Sequence, residues 1–102
     1  MQLSISKKAA ILYKKEMDLQ KGDSLRLYVR IGGVGSGGFS VGVMKDKPNQ
    51  FSYTVEQEGI IFFVEEDDFW YFNGMDIDYS EDLDYIHFEH ATLEHLEHPE
   101  HR

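Results

Sequence analysis

The spacing of apolar positions changes twice along the chain. After Ser6, the stretch KKAAILYKKEMDLQK repeats apolar residues at Ala10, Tyr13 and Met17, and Ala9, Leu12 and Leu19 widen the stripe. This spacing predicts an amphipathic helix with Gly22 as its stop. From Leu25 the period drops to two. LRLYVRI sets Leu25, Leu27, Val29 and Ile31 on one side and Arg26, Tyr28 and Arg30 on the other, as in a strand with one wet face. GGVGSGG interrupts, FSVGV resumes an extended pattern, and Pro48-Asn49 marks a turn. FSYTV and IIFFV predict two strands meeting antiparallel at a tight turn around Gly59. EEDDFWYF, four acids followed by four aromatics, predicts a short helical turn with a negative start, ended by Asn73-Gly74. MDIDY and DYIHF complete the strands. The apolar pattern decays after Phe88, and EHATLEHLEHPEHR repeats Glu-His four times. The expected organisation is a core over residues 1–88 and an acidic, His-containing tail over 89–102, helical or frayed, with no internal repeat.

A length of 102 residues allows one domain and one core, and 41% hydrophobic residues suffice to fill it. There are no cysteines, which removes disulfides, thiolate-bound zinc, cysteine-ligated clusters and thiol nucleophiles. Charged residues sit in MQLSISKKAA where a signal peptide needs an apolar stretch, and no apolar run approaches a membrane span. The expectation is a soluble, cytoplasmic protein. Its charge is split: residues 1–47 hold 9 basic and 4 acidic residues, whereas 48–102 hold 15 acidic residues and Arg102 alone. The acidic half would repel a polyanion, so nucleic acid is not an expected partner. A basic protein or a cation is better suited to it.

The motifs that carry chemistry are few. Gly33, Gly35 and Gly38 satisfy G-x-G-x-x-G, with Glu56 or Glu58 at the distance of a ribose contact. A dinucleotide site needs the glycines to open a helix, and FSVGV has strand character. The glycines read better as a connection needing positive φ or close packing. Asp76, Asp78, Ser80, Asp82 and Asp84 alternate like a calcium loop, but Glu81 and His87 stand where an EF-hand needs Gly and Glu. His90, His95 and His98, with Glu94 and Glu97, are the candidate metal ligands, a set suited to iron, zinc or nickel. Against them stands a solvated acidic tail interrupted by Pro99. Phe69, Trp70 and Tyr71 form the candidate partner surface, although four adjacent aromatics with Phe72 cannot all face one way. No serine has a His and carboxylate arrangement, so no catalytic residue is assigned and an enzyme is not expected.

The helix, the strand SLRLYVRI, the glycine loop GGVGSGGFSVGV, the paired strands and the acidic-aromatic segment before MDIDY together resemble the HesB/IscA-like family, the A-type iron–sulfur assembly proteins. The matching pieces are Val29-Arg30, then Val34-Gly35-Ser36-Gly37, and later Phe72-Asn73-Gly74-Met75-Asp76-Ile77-Asp78. The resemblance implies an α+β fold: a small domain with an N-terminal helix and a twisted, barrel-like, mainly antiparallel sheet. It also makes Gly33, Gly35, Ser36, Gly37 and Gly38 the family's glycine loop, and implies a partner in iron–sulfur biogenesis and self-association as a homodimer. Family members that hold a cluster use a Cys in that loop and a Cys-Gly-Cys near the C-terminus. Here Gly35 stands where the first falls, and the tail offers Glu and His. The chain therefore resembles the short, cysteine-free bacterial branch. Soft thiolates hold cluster iron, and imidazole with carboxylate replaces them poorly, so cluster carriage is not expected. Three readings stay open: an accessory in cluster biosynthesis or iron handling that binds iron through His and carboxylate groups, a non-metal protein-interaction module, and a small-ligand protein or enzyme with a pocket near the glycine loop.

Overall fold

A computed structural model describes residues 1–32 and 38–90. Helix α1 spans Lys7–Glu16, and Ser6 caps it by accepting a hydrogen bond from the Ala9 N–H at 3.0 Å. Ala9, Ala10 and Tyr13 form its buried face, while Lys14 and Lys15 sit favourably in the last turn. The helix stops well before Gly22. Asp18 takes a left-handed φ of 54°, and the Leu19 N–H returns to the Lys14 carbonyl while the Asp18 N–H returns to Lys15. This Schellman ending turns Leu19 into the core.

Among the described residues, seven strands form two sheets. The larger has the order β3-β2-β5-β4, with β2 Ser24–Ile31, β3 Phe39–Lys45, β4 Tyr53–Gln57 and β5 Ile60–Val64. The smaller has the order β1-β6-β7, with β1 Leu3–Ile5, β6 Met75–Ser80 and β7 Tyr85–His90. Three pairings are antiparallel, β2 with β3, β4 with β5 and β6 with β7. Two are parallel, β1 with β6 and β2 with β5. The α+β architecture with a mainly antiparallel strand arrangement is therefore present, although the sheets are mixed and open rather than closed into one barrel. β1 has no counterpart in the sequence pattern, because three residues are too few to show a period.

Both sheets and α1 share one core. Leu25, Leu27, Ile60, Phe62 and Val64 come from the larger sheet; Leu3, Ile5, Met75 and Ile77 come from the smaller; Ala9, Ala10 and Tyr13 come from the helix. The Tyr13 and Phe62 rings meet at 6.0 Å. Where the sheets abut, the Gln57 side chain donates to the Ile5 carbonyl at 3.2 Å. Asp76 and Asp78 lie on the wetter face of β6 while Met75 and Ile77 turn inward, as strand alternation demands. Ile31 departs from the expected buried face. It continues that face past the end of the core and is 84% exposed.

Candidate functional site

After β5, the acids of Glu65–Asp68 turn the chain through a 3-10 helix, Glu66–Asp68, into a one-turn helix α2, Phe69–Phe72. The four consecutive aromatics diverge. Phe72 is fully buried and anchors the segment, Phe69 and Tyr71 are half-buried, and Trp70 is 62% exposed. The segment is clamped on both sides. Before it, the Arg26 guanidinium reaches Glu65 at 3.6 Å and Asp68 at 3.8 Å. After it, the Gly74 N–H donates to the Gln2 carbonyl and the Gln2 N–H donates to the Asn73 side chain at 2.7 Å. Gly74 itself sits at φ 86°, a conformation that favours glycine.

Three groups that lie far apart in the sequence converge at this end of the fold. Trp70 stacks edge-on against Phe39, the first residue of β3, at 5.4 Å, and Tyr71 meets Phe39 at 6.2 Å. His90, the last residue of β7, packs against the Tyr71 ring at 5.7 Å, and its Nε2 donates to the Tyr71 carbonyl. Burial raises the Tyr71 phenol above its ordinary pKa. The ends of the glycine loop lie beside them: Ile31 pairs with Phe39 in the β2–β3 register, and the Gly32 N–H donates to the Gly38 carbonyl at 2.8 Å. Gly33, Gly35, Ser36 and Gly37 lie outside the described residues, and Gly38 has a φ of 80°. A strand, β3, follows Gly38 and pairs antiparallel with β2, which rules out the dinucleotide-loop geometry.

Of the candidate metal ligands, His90 is placed with one ring nitrogen committed to Tyr71, and Glu94, His95, Glu97 and His98 lie outside the described residues. Among the described residues, no three His, Asp or Glu side chains gather closely enough to hold a metal ion. Of the candidate partner surface, Trp70 and Tyr71 face the convergent end together with Phe39. Sequence reasoning missed Phe39, Ile31 and Arg26. The signal available for Phe39 was its position directly after Gly38, where a hairpin end meets a loop.

Residues 1–92 match the sequence model of the family described as iron-sulphur cluster biosynthesis. The chain belongs to that family. It is similar to the pyruvate dehydrogenase inhibitor of Bacillus subtilis, at 46% identity over 88% of this chain and 99% of that protein. The iron-sulfur cluster insertion protein ErpA of Shewanella piezotolerans is 32% identical over 80% of this chain and 72% of its own length. Two solved structures share the fold. IscA with a [2Fe-2S] cluster superposes with a TM-score of 0.66 at 15% identity, over 88% of this chain and 86% of that one. Escherichia coli SufA gives 0.62 at 24% identity, over 86% and 79%. The residues of this family member do not fit a thiolate-held cluster. The sequence contains no cysteine, and at the convergent end the described donors are the His90 imidazole, backbone carbonyls and the Tyr71 phenol. Among the described residues, no helix is long and apolar enough to cross a membrane.

Proposed function

We propose that this family member is a non-enzymatic protein-binding module that restrains a target enzyme by contact and carries no cluster of its own. Its target in this reading is the pyruvate dehydrogenase complex, and its site of action is the cytoplasm. The observation that carries the reading is the aromatic end, where Trp70 is held 62% exposed between ion pairs to Arg26 and hydrogen bonds to Gln2 in a sequence without a single thiol. Exposed aromatics on a turn held at both ends suit protein recognition because they bring large contact area. The 46% identity to a protein named as a pyruvate dehydrogenase inhibitor, over nearly all of that protein's length, supports the choice of target. The iron-handling reading has weaker support, because His90 directs Nε2 to a carbonyl.

The test has two arms. Purified protein is added to assembled pyruvate dehydrogenase complex in the presence of a chelator, and NADH formation is followed. Saturable inhibition that survives the chelator is expected. In parallel, anaerobic addition of ferrous iron and sulfide is expected to leave no stable brown species. Unchanged enzyme activity at saturating protein would overturn the choice of target, and stoichiometric sulfide retention would overturn the loss of carriage.

A further inference from the structure

We infer that the convergent aromatic end is built to receive a basic segment of the partner protein, with a lysine or arginine side chain laid on Trp70 and aliphatic contacts on Ile31 and Phe39. This inference rests on the protein-binding reading above and specifies its partner chemistry. Ile31 and Phe39 are cross-strand neighbours and Phe39 contacts Trp70, so the three make one continuous apolar surface rather than scattered residues. Its charged border is net acidic, with four carboxylates against the Arg26 guanidinium. Glu65 and Asp68 are answered by Arg26, whereas the exposed Glu66 and Asp67 have no ion-pair partner among the described residues. These two stand four and three positions before Trp70, on the turn that leads directly into its helix.

Two cations lie on the face of β2 opposite Ile31. Arg26 is engaged with Glu65 and Asp68, and Arg30 alternates to the other face of β2, where its stem lies close against Gly42. The surface therefore offers an indole face, apolar flanks and two uncompensated carboxylates. That combination favours a cation with an aliphatic stem, because the indole quadrupole and the carboxylates attract the same charge. A second copy of this chain would bring the same acidic border against its own kind in a two-fold contact, and the net charge of −9 adds to that repulsion. A nucleic acid or an anionic membrane would meet the same repulsion.

Trp70 is the sole tryptophan, so it reports its own occupancy. The full-length protein is titrated with a 12-residue peptide alternating arginine and leucine, with one alternating glutamate and leucine, and with the basic peptide again at raised salt, following indole emission. A blue shift with the basic peptide alone is expected, and its affinity should fall by roughly tenfold or more in the Glu66→Lys/Asp67→Lys double variant. An equal response to both peptides, or no loss in the double variant, overturns the inference. So does a blue shift that depends on protein concentration without peptide, which would assign the surface to a second copy. The double variant is also compared with wild type in the pyruvate dehydrogenase assay. Inhibition by wild type and undiminished inhibition by the variant would sink this inference while leaving the proposed function standing. Absence of inhibition by wild type would sink the choice of target while the peptide titration still decides the surface.

Discussion

Tyr28 lies across Gly42: the two are paired in the β2–β3 register, and a Cβ built on Gly42 would come within 2.5 Å of the ring's Cζ. The same added carbon would meet the Arg30 stem at 2.7 Å. The glycine is needed for close approach rather than for its φ, and the ring covers backbone that a strand glycine would leave bare. Gly42→Val should therefore destabilise the fold by about 1–3 kcal/mol. Much of that loss should vanish in a Tyr28→Ser background, a coupling that a double-mutant cycle in urea would measure.

Phe72 and Trp70 sit two residues apart on one turn and should behave oppositely. Phe72→Ala removes a fully buried ring and should cost about 3–5 kcal/mol. Trp70→Ala removes a largely exposed one and should change stability by less than about 1 kcal/mol, while abolishing partner binding. Chemical denaturation of both variants beside the inhibition assay separates the two roles.

Arg26 holds the turn that presents Trp70. Because its side chain keeps partial solvent contact, its two ion pairs together are worth only about 1 kcal/mol. Arg26→Gln should accordingly leave global unfolding nearly unchanged. It should broaden and shift Trp70 emission and raise amide exchange across residues 65–72, and Arg26→Lys should restore part of the wild-type signal.

Ser6 serves two neighbours, capping the helix by accepting from the Ala9 N–H and favouring the charged form of the Asp78 carboxyl. With the Ser6 hydroxyl first and the Tyr79 N–H second, those hydrogen bonds hold the Asp78 carboxyl below its ordinary pKa. A depressed folded-state value stabilises at pH above the unfolded value and is lost as pH falls through the folded one. Ser6→Ala should cost about 1 kcal/mol near neutrality. It should also flatten the acid limb of the stability curve below about pH 4. Thermal melts across that range would read both effects.

Burial pushes the Tyr13 phenol up to about 12. A raised folded-state value contributes stability that is complete below the unfolded value of 10.0 and lost as pH climbs toward 12. Alkaline titration at the phenolate absorption band should show Tyr13 ionising late and together with unfolding. Tyr13→Phe should remove that late step and its share of the alkaline destabilisation.

The strands with a clear period of two and the aromatic turn were legible because each carries its own signal. Leu25 and Leu27 alternate with Arg26 and Tyr28, and Asn73-Gly74 closes the aromatic run where expected. The two parallel pairings were not, since β5 reads IIFFV whether its neighbour runs with it or against it. The helix end escaped because an aspartate, Asp18, took the left-handed position usually signalled by glycine, leaving Gly22 as a decoy. At the candidate site, the exposed Trp70 could be named from the aromatic run. Its contact with Phe39 and the meeting of His90 with Tyr71 could not, because they depend on how two sheets bring their free ends together.

The pairing of Leu3 with Met75 ties the third residue to one 72 positions downstream. During synthesis, the smaller sheet cannot begin to assemble until β6 has left the ribosome, and β7 arrives later still. The nascent protein must therefore keep Leu3 and Ile5 out of other company while the whole larger sheet is being made, and the speed at which β1 finds its mate, rather than helix formation, should set the pace of folding.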